Sequence, residues 1–193
     1  MRIIIGISGS SGVVYGIRLL QLLQQQADVE THLIMSATAK MNVPIETDMT
    51  VAEVEALADV QHHFNDVAAS VSSGSFVTAG MIVAPCSMKT LSGIVNSYAD
   101  NLLVRAADVV LKEGRKLVLM PRESPLHLGH CRLLYQAARM GIQLAPPIPA
   151  FYNRPGSVED VVDHSVGRVL DLFSLDAGVV KRWEGKGGVD PER

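Results

Sequence analysis

A cluster of small residues near the start of the chain offers the first chemistry. In Gly6–Gly12 (GISGSSG) the glycines fall at Gly6, Gly9 and Gly12, with Ser8, Ser10 and Ser11 between them. Such a turn lets the backbone approach a ligand closely, and the hydroxyls add donors. Between a buried strand and a helix it forms an anion site. The first N–H groups of a helix lack intrahelical partners, and the helix dipole favours negative charge there. The predicted ligand is a phosphate. The spacing is not the G-x-G-x-x-G of dinucleotide sites, and the second strand runs into Ser36-Ala37-Thr38 with no acid for a ribose. This argues against NAD and leaves room for a mononucleotide such as FMN.

Other residues could complete a site. Ser87 and Thr90, in Pro85–Thr90 (PCSMKT), either cap a helix or hold a second part of the same ligand. Arg105 and Lys112 are seven apart on one helix, with Asp108 between them on the same stripe, and by themselves read as a solvated charged face. Arg122 and Glu123 directly follow a buried strand, where a carboxylate beside an arginine suits acid–base work or forms a salt bridge. Tyr152, in Phe151–Pro155 (FYNRP), could donate to a phosphate oxygen, and Arg168 reaches that place only through tertiary folding. His127 and His130 lack a third metal ligand and read as surface or helix-capping residues. Cys86 has no base near it in sequence and reads as a small buried residue, not a nucleophile.

The elements that must position these residues alternate. Strands are expected at Ile3–Ile7, Glu30–Met35, Gly80–Ala84, Lys116–Met120 and Ile142–Ala145. Helices are expected over Val13–Gln26, Ser36–Val43 with a stop at Pro44, and Thr50–Ala58 behind a capping box. Others follow from about Leu91, over Asn101–Glu113 and Leu126–Met140, and from Ser157 to about Phe173. Ile45–Asp48 reads as a polar loop and His62–Gly74 as an exposed excursion. The pattern predicts an α/β fold, a three-layer doubly wound parallel sheet of the Rossmann or flavodoxin-like kind, in one domain over residues 1–184 with a mobile tail at 185–193. Ligands of such sheets bind beyond the carboxyl ends of the strands, where the polar loops collect.

The 193 residues are 48% apolar with a net charge of −3, and no basic stretch suggests nucleic acid or a membrane surface as partner. No apolar run approaches the roughly 18–20 residues of a membrane span. Two cysteines 45 residues apart fit neither a disulfide scaffold nor a zinc pattern, and the chain reads as cytoplasmic. Apolar helices such as Leu102–Leu111 suggest burial between subunits.

Taken together, GISGSSGVVYGIRLL, the ETD of Glu46–Asp48, PCSMKTLSGI, NLLVRAADVVLKEGRKLVLMPRESPLHLGH and PPIPAFYNRP resemble the UbiX-type flavin prenyltransferases, a family that includes the partner subunits of phenolic-acid decarboxylases. The resemblance runs from Met1 to about Trp183. It implies a flavodoxin-like fold assembled as a dodecamer, with active sites at subunit contacts. It implies transfer of a dimethylallyl group from dimethylallyl phosphate to N5 and C6 of reduced FMN, without a metal, and a prenylated FMN that serves a UbiD-type decarboxylase. By motif, Ser10, Ser11, Gly12, Ser36, Ser87, Met88, Lys89, Thr90 and Arg122 would hold the flavin. Lys112, Tyr152 and Arg168 would bind the prenyl phosphate, with Glu46 and Arg105 nearby. Catalysis would fall to Ser11, Lys112, Arg122 and Glu123, the last assisting proton transfer. The alternatives are an FMN-dependent cysteine decarboxylase of the same fold, which needs an early catalytic histidine where this chain offers His32, and a non-catalytic flavin carrier or partner subunit.

Overall fold

Four isoleucines make β1, Arg2–Ile7, a strand buried on both faces, and the sheet grows outward from it. The computed structural model describes residues 1–183 and 185. After β1 come α1 (Val13–Leu23), β2 (Glu30–Met35), α2 (Ala37–Glu46), α3 (Val51–Glu55), β3 (Val60–His62) and a 3-10 turn at Ser70–Ser72. Then follow β4 (Gly80–Cys86), α4 (Met88–Val95), α5 (Leu102–Lys112), β5 (Lys116–Pro121), α6 (Leu128–Arg139), β6 (Gln143–Leu144) and α7 (Val158–Asp171). The chain divides into two compact units, Met1–Pro147 and Ile148–Arg193. The expected tail at 185–193 lies outside the described residues, apart from Gly185.

All six strands belong to the first unit. They are parallel, in the order β3-β2-β1-β4-β5-β6. On one face Ile4, Ile34, Met81, Val83, Leu117 and Leu119 pack with residues of α4, α5 and α6 into one apolar core. On the other face α1 comes so close that a Cβ at Gly16 would strike the Ala84 carbonyl oxygen and the Ile7 side chain. Strand order reverses between β1 and β4, which opens a crevice at their carboxyl ends.

Several expectations need correction. Six strands form, not five: the span read as an exposed excursion begins with the end of edge strand β3, and its Val71 is buried in the core. Helix α2 does not stop at Pro44 but continues to Glu46, so Ile45 and Glu46 are helical and not loop. Proline lacks only its own N–H, and Thr47 closes the last turn by donating from N and Oγ1 to the Val43 carbonyl (2.9 and 2.8 Å). Helix α4 starts three residues before Leu91, since Ser87 caps it. The apolar faces of α5 are used within the chain: Leu102, Leu103, Val104, Ala106, Ala107, Val109 and Val110 are all buried. They therefore give no support to a subunit contact.

Candidate active site

Ser8 ties the two sides of the crevice together. Its buried Oγ donates to the Pro85 carbonyl (2.9 Å) and accepts from the Ser87 N–H (2.7 Å). Ser8 therefore braces the loops and leaves ligand contact to its neighbours.

Gly12 caps α1 with φ 107°, a left-handed conformation that glycine adopts without strain. The N–H groups of Gly12 and Val13 both donate to Oε2 of Glu46 (2.8 and 2.9 Å). The anion site expected from the sequence thus exists and holds a carboxylate of the chain's own. Glu46 reaches it only because α2 continues past Pro44. From the same helix Asn42 donates to the Ser10 carbonyl (3.3 Å). Ser10 Oγ is buried without a hydrogen-bond partner among the described residues, a polar atom left for a ligand to satisfy. Arg122 lies alongside: a Cβ at Gly12 would stand 3.7 Å from its Cγ and 3.1 Å from the Tyr15 ring. Burial raises the Tyr15 hydroxyl pKa, and the Arg122 charge partly offsets this. In the sequence Tyr15 carries no signal beyond the helical run Val13–Gln26.

Beside this turn lies a cavity of about 720 Å³ whose lining includes Gly9, Ser36, Thr38, Phe64, Ser87, Lys89 and Thr90, with Asn96, Tyr98 and Asp100 from the α4–α5 connection and Val104 of α5. Three helices start at it, α2, α4 and α5, the last behind its Asn101 cap. Ser36 Oγ accepts from Ala39 N (3.1 Å) and Ser87 Oγ from Thr90 N (3.2 Å), so capping and lining coexist. The cavity gathers Ser36, Ser87, Lys89 and Thr90 as expected, whereas Met88 packs against the core on α4. Phe64, Tyr98 and Asp100 lie outside the sequence candidates, whereas Thr38 belongs to the Ser36–Thr38 loop expected at the ligand edge. Thr38, in the first turn after the Ser36 cap, carried a readable signal, while the others are brought in by tertiary folding.

The remaining candidates are dispersed. Arg105 pairs with Asp108 (2.7 Å) and donates to the Ser72 carbonyl (3.2 Å), and Lys112 pairs with Glu113, whose pKa that hydrogen bond lowers. Helix α5 runs from the cavity back toward the start of β5, so Lys112 lies at the opposite edge of the sheet. Glu123 is exposed and accepts from Ser124 N (3.0 Å), and among the described residues no ion pair joins it to Arg122. In the second unit the Tyr152 hydroxyl lies 3.4 Å from Nε2 of the buried His164, and Arg168 follows four residues later on the same face of α7. Arg168 pairs with Asp171 (2.6 Å), whose pKa is lowered by hydrogen bonds from Arg182 first and Arg168 second. His127 caps α6, accepting from Gly129 N (3.0 Å). Burial pushes the Cys86 thiol up to about 12, which leaves it protonated and unreactive.

Comparison with known proteins gives this geometry its context. The Flavoprotein family matches residues 1–170. The flavin prenyltransferase UbiX of Escherichia coli K12 is 59% identical over 186 residues, 95% of this chain and 98% of that one. The chain belongs to the UbiX-type flavin prenyltransferase family. Two solved structures of UbiX-type proteins agree. A dodecameric FMN-dependent UbiX-like decarboxylase from Escherichia coli O157:H7 has a TM-score of 0.95 at 54% identity, covering 96% of this chain and 100% of that one. AnUbiX (PadA1), solved with FMN and dimethylallyl pyrophosphate, has a TM-score of 0.93 at 50% identity, covering 95% and 97%. Among the described residues no helix is long and apolar enough to cross a membrane. The UbiX-type motifs at Gly6–Gly12 and Pro85–Thr90 are the two loops that Ser8 joins.

Proposed function

We propose that this chain transfers a dimethylallyl group from dimethylallyl phosphate to N5 and C6 of reduced FMN, and that the prenylated flavin goes to a UbiD-type decarboxylase. The observation that carries the reading is the pair of adjoining anion sites at the strand reversal. One is the start of α1, whose N–H groups already hold a carboxylate. The other is the cavity into which α2 and α4 open with Ser36, Ser87, Lys89 and Thr90. Two substrates, each with a phosphate, must lie side by side for the transfer, and the crevice provides two places for anions.

FMN fits the cavity: its phosphate would take the helix starts, the ring would lie along α4, and Ser10 Oγ would gain a partner. The flavin supplies the electron-rich ring that attacks the allyl carbon. The protein positions it and stabilises the departing phosphate. Ser11, Gly12 and Arg122 surround the start of α1 and would hold that phosphate once Glu46 withdraws. Glu123, exposed beside Arg122 in sequence, would move a proton at the edge of the reaction. Tyr152 and Arg168, in the second unit, would keep the prenyl-phosphate role that the family motif gives them. Lys112, at the far edge of its own sheet, and Arg105, held in the chain's own contacts, would serve the site of a neighbouring copy. The family's dodecameric relative supports such an assembly. Both cysteines are free, which supports a cytoplasmic setting.

The cysteine-decarboxylase reading loses its catalytic histidine, because His32 is buried within β2 and bonded to His62 and Glu30 (3.0 Å each). The decisive experiment is anaerobic: reduced FMN and dimethylallyl phosphate are mixed with the protein and the extracted flavin is weighed by mass spectrometry. A gain of one C5H8 unit is expected, and tightly bound but unchanged FMN would return the carrier reading.

A further inference from the structure

The cavity beside the glycine turn is electrically lopsided, and the lopsidedness has a direction. Of its lining side chains only Lys89 and Asp100 carry charge. Lys89 lies in the first turn of α4 with Ser87 and Thr90, while Asp100 lies in the loop beyond the other end of that helix. Eight helical residues separate the two ends by about 12 Å. The α4 dipole points the same way, positive toward Lys89, while α5 starts beside Asp100 behind its Asn101 cap, so at that end the negative charge is the Asp100 carboxylate itself. An elongated ligand that is anionic at one end and presents a hydrogen-bond donor at the other matches this gradient.

Asp100 is held in place. Asn101 Oδ1 caps α5 by accepting from Val104 N (3.0 Å), which turns its Nδ2 toward Asp100 Oδ1 (2.6 Å). Asn101 is buried, so the capping amide is a firm support. The loop is fixed from behind, since Tyr98 N donates to the Gly93 carbonyl (2.8 Å) and Asp100 N to the Tyr98 carbonyl (3.1 Å). One carboxylate oxygen accepts from Asn101, and Asp100 stands exposed in the cavity lining with its other oxygen available as an acceptor. A carboxylate accepts hydrogen bonds and repels phosphate, so this end of the cavity suits a neutral N–H group.

We infer that Asp100 is a specificity-determining residue for the flavin, accepting the N3–H of its pyrimidine edge while the phosphate lies at the Lys89 end. The inference rests on FMN being the occupant of the cavity. N3–H is the one donor on the outer edge of the ring, set between two carbonyl oxygens. A hydrogen bond to a charged acceptor contributes more than one between neutral groups. Asp100 thereby fixes which edge of the ring points down the helix and which faces the second anion site.

The test compares the full-length protein's affinity for FMN and for N3-methyl FMN by flavin fluorescence titration. Wild type is expected to bind the methylated flavin about ten- to a hundredfold more weakly. Asp100→Ala is expected to lose affinity for FMN and to bind the two flavins alike, and Asp100→Asn, which keeps an acceptor oxygen, to restore part of the difference. Equal binding of the two flavins by wild type would overturn the assignment while leaving prenyl transfer standing, as would a difference that survives in Asp100→Ala. Failure to bind FMN at all would overturn the assignment and the proposed function together. Melting curves of each variant separate loss of the contact from loss of the fold.

Discussion

Glu46 is the residue whose position says most about the start of α1. It gives two backbone N–H groups the negative partner that a substrate phosphate would otherwise supply. In the proposed reaction a substrate phosphate would displace it, and its charge would work against that binding. Glu46→Gln is expected to bind inorganic phosphate about twofold to fivefold more tightly than wild type, read as a larger rise in melting temperature on adding phosphate. In the proposed reaction Arg122 would act in the opposite sense, by stabilising the leaving group. Arg122→Ala is expected to lower the rate of flavin prenylation by about 10²–10³ with FMN binding largely kept, measured in single-turnover assays. A rate within a few-fold of wild type would remove Arg122 from the reaction. At this scale the sequence was readable where a residue acts through its immediate neighbours. Gly12, Ser36, Ser87 and Thr90 work by starting helices, and helix starts leave local signals. Asp100 and Tyr15 reach the crevice through folding, and no spacing announces them.

Among the elements, α1 and the β2–β3 edge make different demands. Helix α1 reaches the sheet through Gly16, where any side chain would collide with the Ala84 carbonyl oxygen. Gly16→Ala is expected to destabilise the protein by about 1–3 kcal/mol, seen as a lower urea midpoint. The sheet edge carries a titrating pair. His32 and His62 stack with ring centroids 5.2 Å apart and share a hydrogen bond that needs at least one neutral ring. Burial, above all, lowers both pKa values, with the His32 charge a further cause for His62. Their contribution is present above the unfolded histidine pKa, about 6.5, and is lost as pH falls through that value toward the lower folded ones, because the unfolded chain then takes up more protons. The melting temperature is expected to fall between about pH 7 and 5, and His62→Phe to flatten that slope. The sequence placed β1, β2, β4 and β5 because buried parallel strands are continuous apolar runs. It lost β3, whose Val-Gln-His carries no such run, and it cut α2 short at a proline that sits where the helix is already ending.

For the molecule as a whole, the apolar surface that calls for a partner is not on α5. It includes Met41 and Ile45 on α2, Leu128 and Tyr135 on α6, and Ile148, Phe151 and Val158 in the second unit, all strongly exposed. Sedimentation of the purified protein is expected to give a dodecamer, and Leu128→Asp to shift it to smaller species. A wild-type monomer would leave Lys112 without a site to serve. The two cysteines carry a practical consequence. Cys86 is sealed in β4 with its thiol held protonated, while Cys131 lies open on α6. Cys131 lies between Leu128 and Tyr135 on one stripe of α6, so a thiol reagent should reach it slowly in the assembled protein and quickly once Leu128→Asp has separated the copies, which makes the native thiol a gauge of assembly.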